Sequence, residues 1–173
     1  MLRYPLLTLN YQPESSETQE EFLKIIKASF LVVVICLQPS AEGESPTPIG
    51  SMGLQRDTHV KRIQHRNCSI GIRLLKDFRS KGYGTEAVEW ALDWAFRRAG
   101  LHKVKIGCVG WNMRAGKVYE RMGFVEEAVL REELWHDGKW WDQIDMSMLE
   151  QEYWARDEEK RKKLQATDGS QAE

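Results

Sequence analysis

The sequence predicts an α/β domain of the α+β kind, in which one mixed sheet carries helices against its faces. Three observations lead there. Three apolar or alternating runs follow one another before any long helical stripe, which implies a meander. The stripe from Gly84 to Ala99 then separates them from a further alternating segment and a second, shorter helix. Finally, Asp137-Gly138 joins two long runs near the end and is a strong hairpin signal. With 173 residues, 42% hydrophobic and 29% charged, the chain has the length and apolar content of one folded domain.

The elements follow in order. Ser15 to Lys27 offers a serine cap, early acids, and Phe22, Ile25 and Ile26 at helical spacing, and predicts one short helix. Ser29 to Gln38 is β-branched without polar alternation and reads as a strand covered on both faces. The Pro, Ser and Gly content of residues 39–48 makes a loop, and residues 49–57 and 67–75 are two further strands. From Gly84, apolar residues fall at Ala87, Val88, Ala91, Leu92, Ala95 and Phe96, and Gly100 stops this helix. His102 to Val109 alternates Val104, Ile106 and Cys108 inward with Lys103 and Lys105 outward. Asn112 is expected to cap a helix bearing Ala115, Val118, Tyr119 and Met122, with Gly123 as its left-handed stop. Phe124 to Trp135 and Lys139 to Leu149 are strands. The single domain is expected over residues 1–154, with residues 155–173 a charge-dense, flexible tail, helical at first and then frayed.

Composition narrows the partners. Twenty-five basic and 26 acidic residues leave a formal charge of -1, so no global cationic field selects nucleic acid or an anionic membrane. Three scattered cysteines, Cys36, Cys68 and Cys108, cannot build a disulfide framework and imply packing roles in a reducing cytoplasmic compartment. The apolar stretch from Phe30 to Leu37 is far shorter than the ~20 residues of a spanning helix, and no signal peptide is expected. Seven tryptophans stand out, among them Trp111, Trp135, Trp140 and Trp141.

The segment Arg79-Ser80-Lys81-Gly82-Tyr83-Gly84-Thr85, between a strand and a long helix, has the makings of an anion cradle. Its glycines allow successive N–H groups to face one concavity, the helix N-terminus adds roughly half a positive charge, and Arg79 and Lys81 add full charges. A diphosphate suits such a site. The spacing excludes two alternatives, because neither G-x-x-x-x-G-K-[ST] nor the first glycine of G-x-G-x-x-G is present.

Arg79, Gly82 and Gly84, then Asn112, Ala115, Tyr119, Gly123 and Phe124, then Leu130, Arg131, Glu132, Asp137, Gly138 and Asp142 form three ordered motifs. In this the chain resembles the GCN5-related N-acetyltransferase (GNAT) superfamily over about residues 48 to 149, and most resembles its ribosomal-protein N-terminal (RimJ/RimL-type) branch. The resemblance implies a mostly antiparallel central sheet splayed between the family's fourth and fifth strands, here Cys68 to Leu75 and Lys103 to Val109, with helices on both faces. It implies acetyl-CoA as co-substrate and no metal. The pantetheine arm would lie in the splay against backbone groups of Arg73, Leu74 and Leu75, as strand addition applied to a small molecule. Arg79, Ser80, Lys81, Gly82, Tyr83, Gly84 and Thr85 would take the pyrophosphate, and Asn112 and Ala115 would flank the thiol end. Tyr119 matches the general acid that protonates the departing thiolate after direct attack by the amine in a ternary complex. A phenol of pKa about 10 protonates a thiolate of about 8.5 at an uphill cost of about 2 kcal/mol.

Two departures accompany the resemblance. Ser69 stands where many relatives carry an acid on the fourth strand, leaving His59, His65, Glu133, Asp142 or ordered water as candidates for the base. His136, beside the hairpin turn, is expected to be exposed. Only 28 residues precede the strand at Ser29, so the wall of the acceptor groove is expected to be short, with the Trp135, Trp140 and Trp141 cluster packing strands, lining that groove or forming a homodimer interface. The leading expectation is an N-acetyltransferase acting on a small amine or a peptide N-terminus. The alternative is a non-catalytic acyl-CoA-binding or dimerisation module.

Overall fold

The computed structural model describes residues 20, 23–24, 26–39, 41, 43–56 and 64–169. It holds β1 (Ser29–Leu37), β2 (Thr47–Arg56), β3 (Asn67–Leu74), α1 (Tyr83–Asp93), β4 (Lys103–Val109), α2 (Met113–Arg121), β5 (Val125–His136), β6 (Lys139–Leu149) and α3 (Glu150–Gly169). The strands form one six-stranded sheet in the order β1-β2-β3-β4-β6-β5, in which β3 and β4 are the parallel pair. Residues 20, 23, 24 and 26–28, inside the helix expected before β1, are helical.

Strand alternation sorts side chains onto two faces. On one, Met52, Leu54, Cys68, Ile70, Val104, Ile106, Cys108, Ile144, Met146 and Met148 meet Val88, Ala91, Leu92, Ala95 and Phe96 of α1 and the turn after it. α2 lies on the same face, because a Cβ on Gly116 would stand 3.0 Å from the Cys108 sulfur. α3 joins it through Tyr153, stacked on Phe96 at 4.8 Å. The expected helical cover of two faces is thus described for one. Burial of Leu92 and Val104 to 0% exposure anchors this helical face, where truncating a Leu to Ala costs about 2–5 kcal/mol.

Three expectations need correction. β1 is not covered on both faces: Val32 and Val34 are 42% and 65% exposed, because among the described residues the helices pack on the other face, against which Leu31, Val33 and Ile35 lie. The first long helix is regular only to Asp93, and its last turn, Trp94–Arg98, widens to a π-helical one in which Ala99 N–H donates to Trp94 O. Asn112 precedes α2, but its side chain makes no capping hydrogen bond there. The segment from Ala155, expected to be helical at first, continues α3 to Gly169, and Arg156 binds Glu89 of α1 in a two-pronged ion pair and donates to Met122 O, while Asp157 binds Arg97 at 2.6 Å. The hairpin turn and the stop at Gly123 are as expected, with φ of +50 and +77 at Asp137 and Gly138 and +93 at Gly123.

The feature that positions the site is a fork. β3 and β4 pair from Asn67↔Lys103 to Ile70↔Ile106 and no further. Beyond that point β3 runs on to Leu74 along β2, and β4 runs on to Val109 along β6. Each strand keeps its outer partner and loses its inner one, and the next residue of each is a glycine, Gly71 and Gly107.

Candidate functional site

The two arms of the fork lead to two helix N-termini. After β3 come Leu75, a single 3-10 turn (Lys76–Phe78) and the segment from Arg79 to Gly82, and then α1 begins at Tyr83. Ser80 and Gly82 have φ of +63 and +90. Gly82 is the residue before α1, in the left-handed region that any side chain would strain, and its carbonyl accepts the first intrahelical bond from Glu86 N–H at 3.1 Å. The N–H groups of Tyr83, Gly84 and Thr85, in the first turn, have no carbonyl to meet within the helix. Arg79, Ser80 and Lys81 are exposed at its rim, Arg79 Nε donating to Leu74 O at 2.9 Å and Lys81 Nζ lying 5.7 Å from the Phe78 ring centre. Arg73 is half-buried, and burial first and the Arg79 charge second lower its guanidinium from the ordinary value.

The strand edge has a defined sense. Leu75 N–H donates to Ile49 O of the chain running into β2 at 2.9 Å, so in this antiparallel ladder the main-chain groups of Arg73 also turn to β2. Those of Ile72 and Leu74 turn to the side from which β4 has departed. Arg73 therefore meets the fork by its side chain, Leu74 by its backbone, and Leu75 is tied to β2 with 42% of its surface exposed. Ile72, absent from the expected set, shares the open edge by the two-residue period of the strand.

Across the fork, β4 leads through a 3-10 turn, Gly110–Asn112, into α2. Ala115 and Tyr119, one helical turn apart, both pack against the core. The Tyr119 ring meets Phe124 edge-on at 6.0 Å. Burial, and to a lesser degree the Cys108 thiol, push its phenol above the ordinary value, so it holds its proton across the physiological range. Asn112 is exposed at the mouth of this side.

A corner of aromatic rings flanks Asn112. Trp111 stacks on His136 at 4.4 Å and meets Trp141 edge-on at 5.6 Å, Trp141 Nε1 donates to His136 O at 3.1 Å, and Lys139 Nζ sits 3.8 Å from the Trp141 ring centre. His136 is accordingly half-buried rather than exposed. Trp135 and Trp140 pair on the hairpin at 5.2 Å, 56% and 54% exposed.

The candidate bases do not converge on the fork. His65 precedes β3, at the closed end of the β3–β4 pairing, and Glu133 is exposed on β5. Asp142 is committed to structure: its Oδ1 accepts Glu132 N–H at 2.9 Å in the irregular stretch of β5 between Leu130 and Leu134, where Glu132 has a φ of +53. His59 lies outside the described residues. Ser69 is exposed on β3, on the face away from the helices. Sequence reasoning missed Gln143 and Asp145 of β6, which pack over Gly107 on that face. Their signal was the alternation of Gln143, Asp145 and Ser147 with buried Ile144, Met146 and Met148.

An unpaired strand edge, a left-handed glycine before a helix N-terminus, two rim cations and a buried phenol on the far helix fit an extended ligand with amides and a diphosphate. Comparison with known proteins agrees. The family model described as "Acetyltransferase (GNAT) domain" matches residues 2–125. The chain is 33% identical over 94 residues to the spermidine N(1)-acetyltransferase of Vibrio cholerae serotype O1, covering 54% of each chain. It is 26% identical over 93 residues to the [ribosomal protein uS5]-alanine N-acetyltransferase of Escherichia coli, covering 54% of this chain and 48% of that one. The chain thus spans about half the length of the curated relatives it matches. Among solved structures, the Vibrio cholerae spermidine N-acetyltransferase in complex with CoA and spermine superposes with a TM-score of 0.66 at 25% identity, over 84% of this chain and 81% of that one. A dodecameric structure of the same enzyme gives 0.67 at 26% identity, over 83% and 80%.

Proposed function

The chain belongs to the acetyltransferase (GNAT) family, and from that premise we propose that it is an acetyl-CoA-dependent N-acetyltransferase acting on a primary amine. The fork is the observation that carries this reading. A strand that keeps one partner and loses the other offers main-chain groups to a ligand with amides of its own, and the cradle stands where that ligand's diphosphate would end. Ile72 and Leu74 would hold the pantetheine amides, and the first-turn N–H groups of Tyr83, Gly84 and Thr85 with Arg79 and Lys81 would hold the pyrophosphate.

When bound, acetyl-CoA supplies a thioester whose C–S bond breaks as the bond from the acceptor nitrogen to the acetyl carbon forms. Tyr119 Oη is the proton donor to the departing sulfur. Its burial keeps the phenol neutral, which is the state a donor needs, and Ala115 one turn earlier leaves space beside it. Of the two protons an ammonium acceptor loses, one ends on sulfur by way of Tyr119 and one passes to solvent. The named relatives are a spermidine N(1)-acetyltransferase and a ribosomal-protein alanine N-acetyltransferase, and an amine acceptor is common to both. Self-association belongs to the same reading, supported by the dodecamer of the Vibrio enzyme.

Calorimetric titration with CoA tests the cradle. Wild type should bind, and the double variant Arg79→Ala/Gly82→Val should lose affinity at least 100-fold while keeping its far-ultraviolet spectrum. Equal affinity in the two proteins would refute the assignment.

A further inference from the structure

The face of the fork away from the helices carries a built feature of its own. Gly107 is the first residue of β4 past the last β3–β4 pair, and it pairs with Asp145 of β6. The side chains of Gln143 and Asp145 lie down over its bare backbone: a Cβ at Gly107 would overlap Gln143 Nε2 and stand 3.4 Å from Asp145 Oδ1. Gln143 Nε2 donates to Asp145 Oδ1 at 3.1 Å.

Asp145 differs from every other half-buried carboxylate among the described residues. Glu89, Asp93, Glu150 and Asp157 each lie within ion-pair distance of an arginine, and Asp142 and Glu152 accept backbone N–H groups. Asp145 has the neutral amide of Gln143 alone. A half-desolvated carboxylate gains most from a cation that brings charge-assisted hydrogen bonds to its second oxygen. Of the described cations of β3 and β4 on this face, Lys103 is bound to Glu127, Lys105 lies on the closed side of the fork, and Arg73 stands on β3 across it.

We propose that Asp145, steadied by Gln143 over Gly107, receives the primary ammonium of the acceptor. This rests on the acetyl-transfer reading and deepens it, naming the acceptor as a cationic amine that enters from the face opposite α2. Tyr119 on α2 and Asp145 on β6 then flank the fork from its two sides, the phenol toward the departing sulfur and the carboxylate toward the incoming nitrogen. The absence of a side chain at Gly107 leaves the carboxylate low against the strand, where an ammonium can reach the fork.

The test is amine binding to the CoA-loaded full chain, followed by amide chemical shifts, with butylamine as the cation and butan-1-ol as its neutral counterpart. Butylamine should shift Gly107 and Asp145, butan-1-ol should not, and Asp145→Asn should weaken butylamine at least 10-fold with CoA affinity within twofold. Gly107→Ala, which displaces the Gln143 amide, should give a smaller loss. Equal butylamine affinity in wild type and Asp145→Asn, or shifts confined to other elements, would overturn the proposal. Steady-state acetylation separates it from the reading beneath it. A 10-fold rise in amine KM with acetyl-CoA KM unchanged in Asp145→Asn supports both. Normal turnover in Asp145→Asn removes the subsite and leaves the transferase. Butylamine bound at Gly107 without acetylation removes the transferase and leaves the subsite.

Discussion

At the scale of single residues, burial sets reactivity. Cys68 lies on the helical face with 2% of its surface exposed, and desolvation pushes its thiol up to about 12. Burial also raises Cys108, beside Gly116. At pH 8 a thiol of pKa about 12 is thiolate in only about one molecule in 10⁴, so Cys68 is no nucleophile, and burial moves Cys108 in the same direction. Cys36, on the exposed face of β1, is different. Brief iodoacetamide treatment of the native protein at pH 8, read by peptide mass spectrometry, should label Cys36 and spare Cys68 and Cys108. Fast labelling of Cys108 would contradict its placement beneath α2. The same scale shows which site residues were legible. Of the candidate site, Arg79 and Gly82 were readable because a turn places them by local spacing, and Tyr119 through the family resemblance. Gln143 and Asp145 were not, because their position depends on the long-range register Gly107↔Asp145, which no local pattern encodes.

At the scale of elements, α3 is held by side chains that reach back to the earlier helices. Arg156 takes both oxygens of Glu89 at 3.0 and 2.8 Å and also donates to Met122 O, a carbonyl at the end of α2 that no later turn satisfies. One side chain therefore ties α1, α2 and α3 together. Arg156→Ala should cost about 2 kcal/mol and lower Tm by several degrees in a thermal melt. Lys162→Ala, which removes an exposed i,i+4 pair with Glu158, should leave the melt unchanged.

The second tie is sensitive to acid. The Arg97 guanidinium holds the Asp157 carboxyl below the usual carboxylate range, so this contact stabilises the fold above the ordinary value near 4. The contribution disappears as pH falls through the lowered folded value. The protection of α3 amides, taken relative to their intrinsic exchange rates, should therefore fall between pH 7 and pH 3 in wild type by more than in Arg97→Gln. An equal fall in both would contradict the tie. These contacts explain why the chain beyond Ala155 reads as a solvated tail: its sequence is almost all charge, and its order comes from partners on other helices. β1 was misread for the converse reason. Its unbroken β-branched run matches a doubly covered strand, while the face on which the helices pack is a property of topology.

At the scale of the whole molecule, a formal charge of -1 conceals a division of labour. Cations gather at the rim of the fork, as Arg79 and Lys81, while on the face away from the helices the half-buried Asp145 has no ion pair among the described residues. Strand order, hairpin and helix stops were readable because periodicity and turn chemistry are local. The fork was readable only through the family's motifs. Its physical signs, a glycine on each arm and a pairing that ends at Ile70↔Ile106, emerge only when the two strands are side by side.

The most direct test of the central claim is release of free thiol from acetyl-CoA across a panel of primary amines, comparing wild type with Tyr119→Phe. An N-acetyltransferase built as described should turn over at least one amine, and Tyr119→Phe should lower kcat about 10²- to 10⁴-fold with CoA affinity within twofold of wild type. CoA binding without turnover on any amine, or a Tyr119→Phe variant as fast as wild type, would contradict the account.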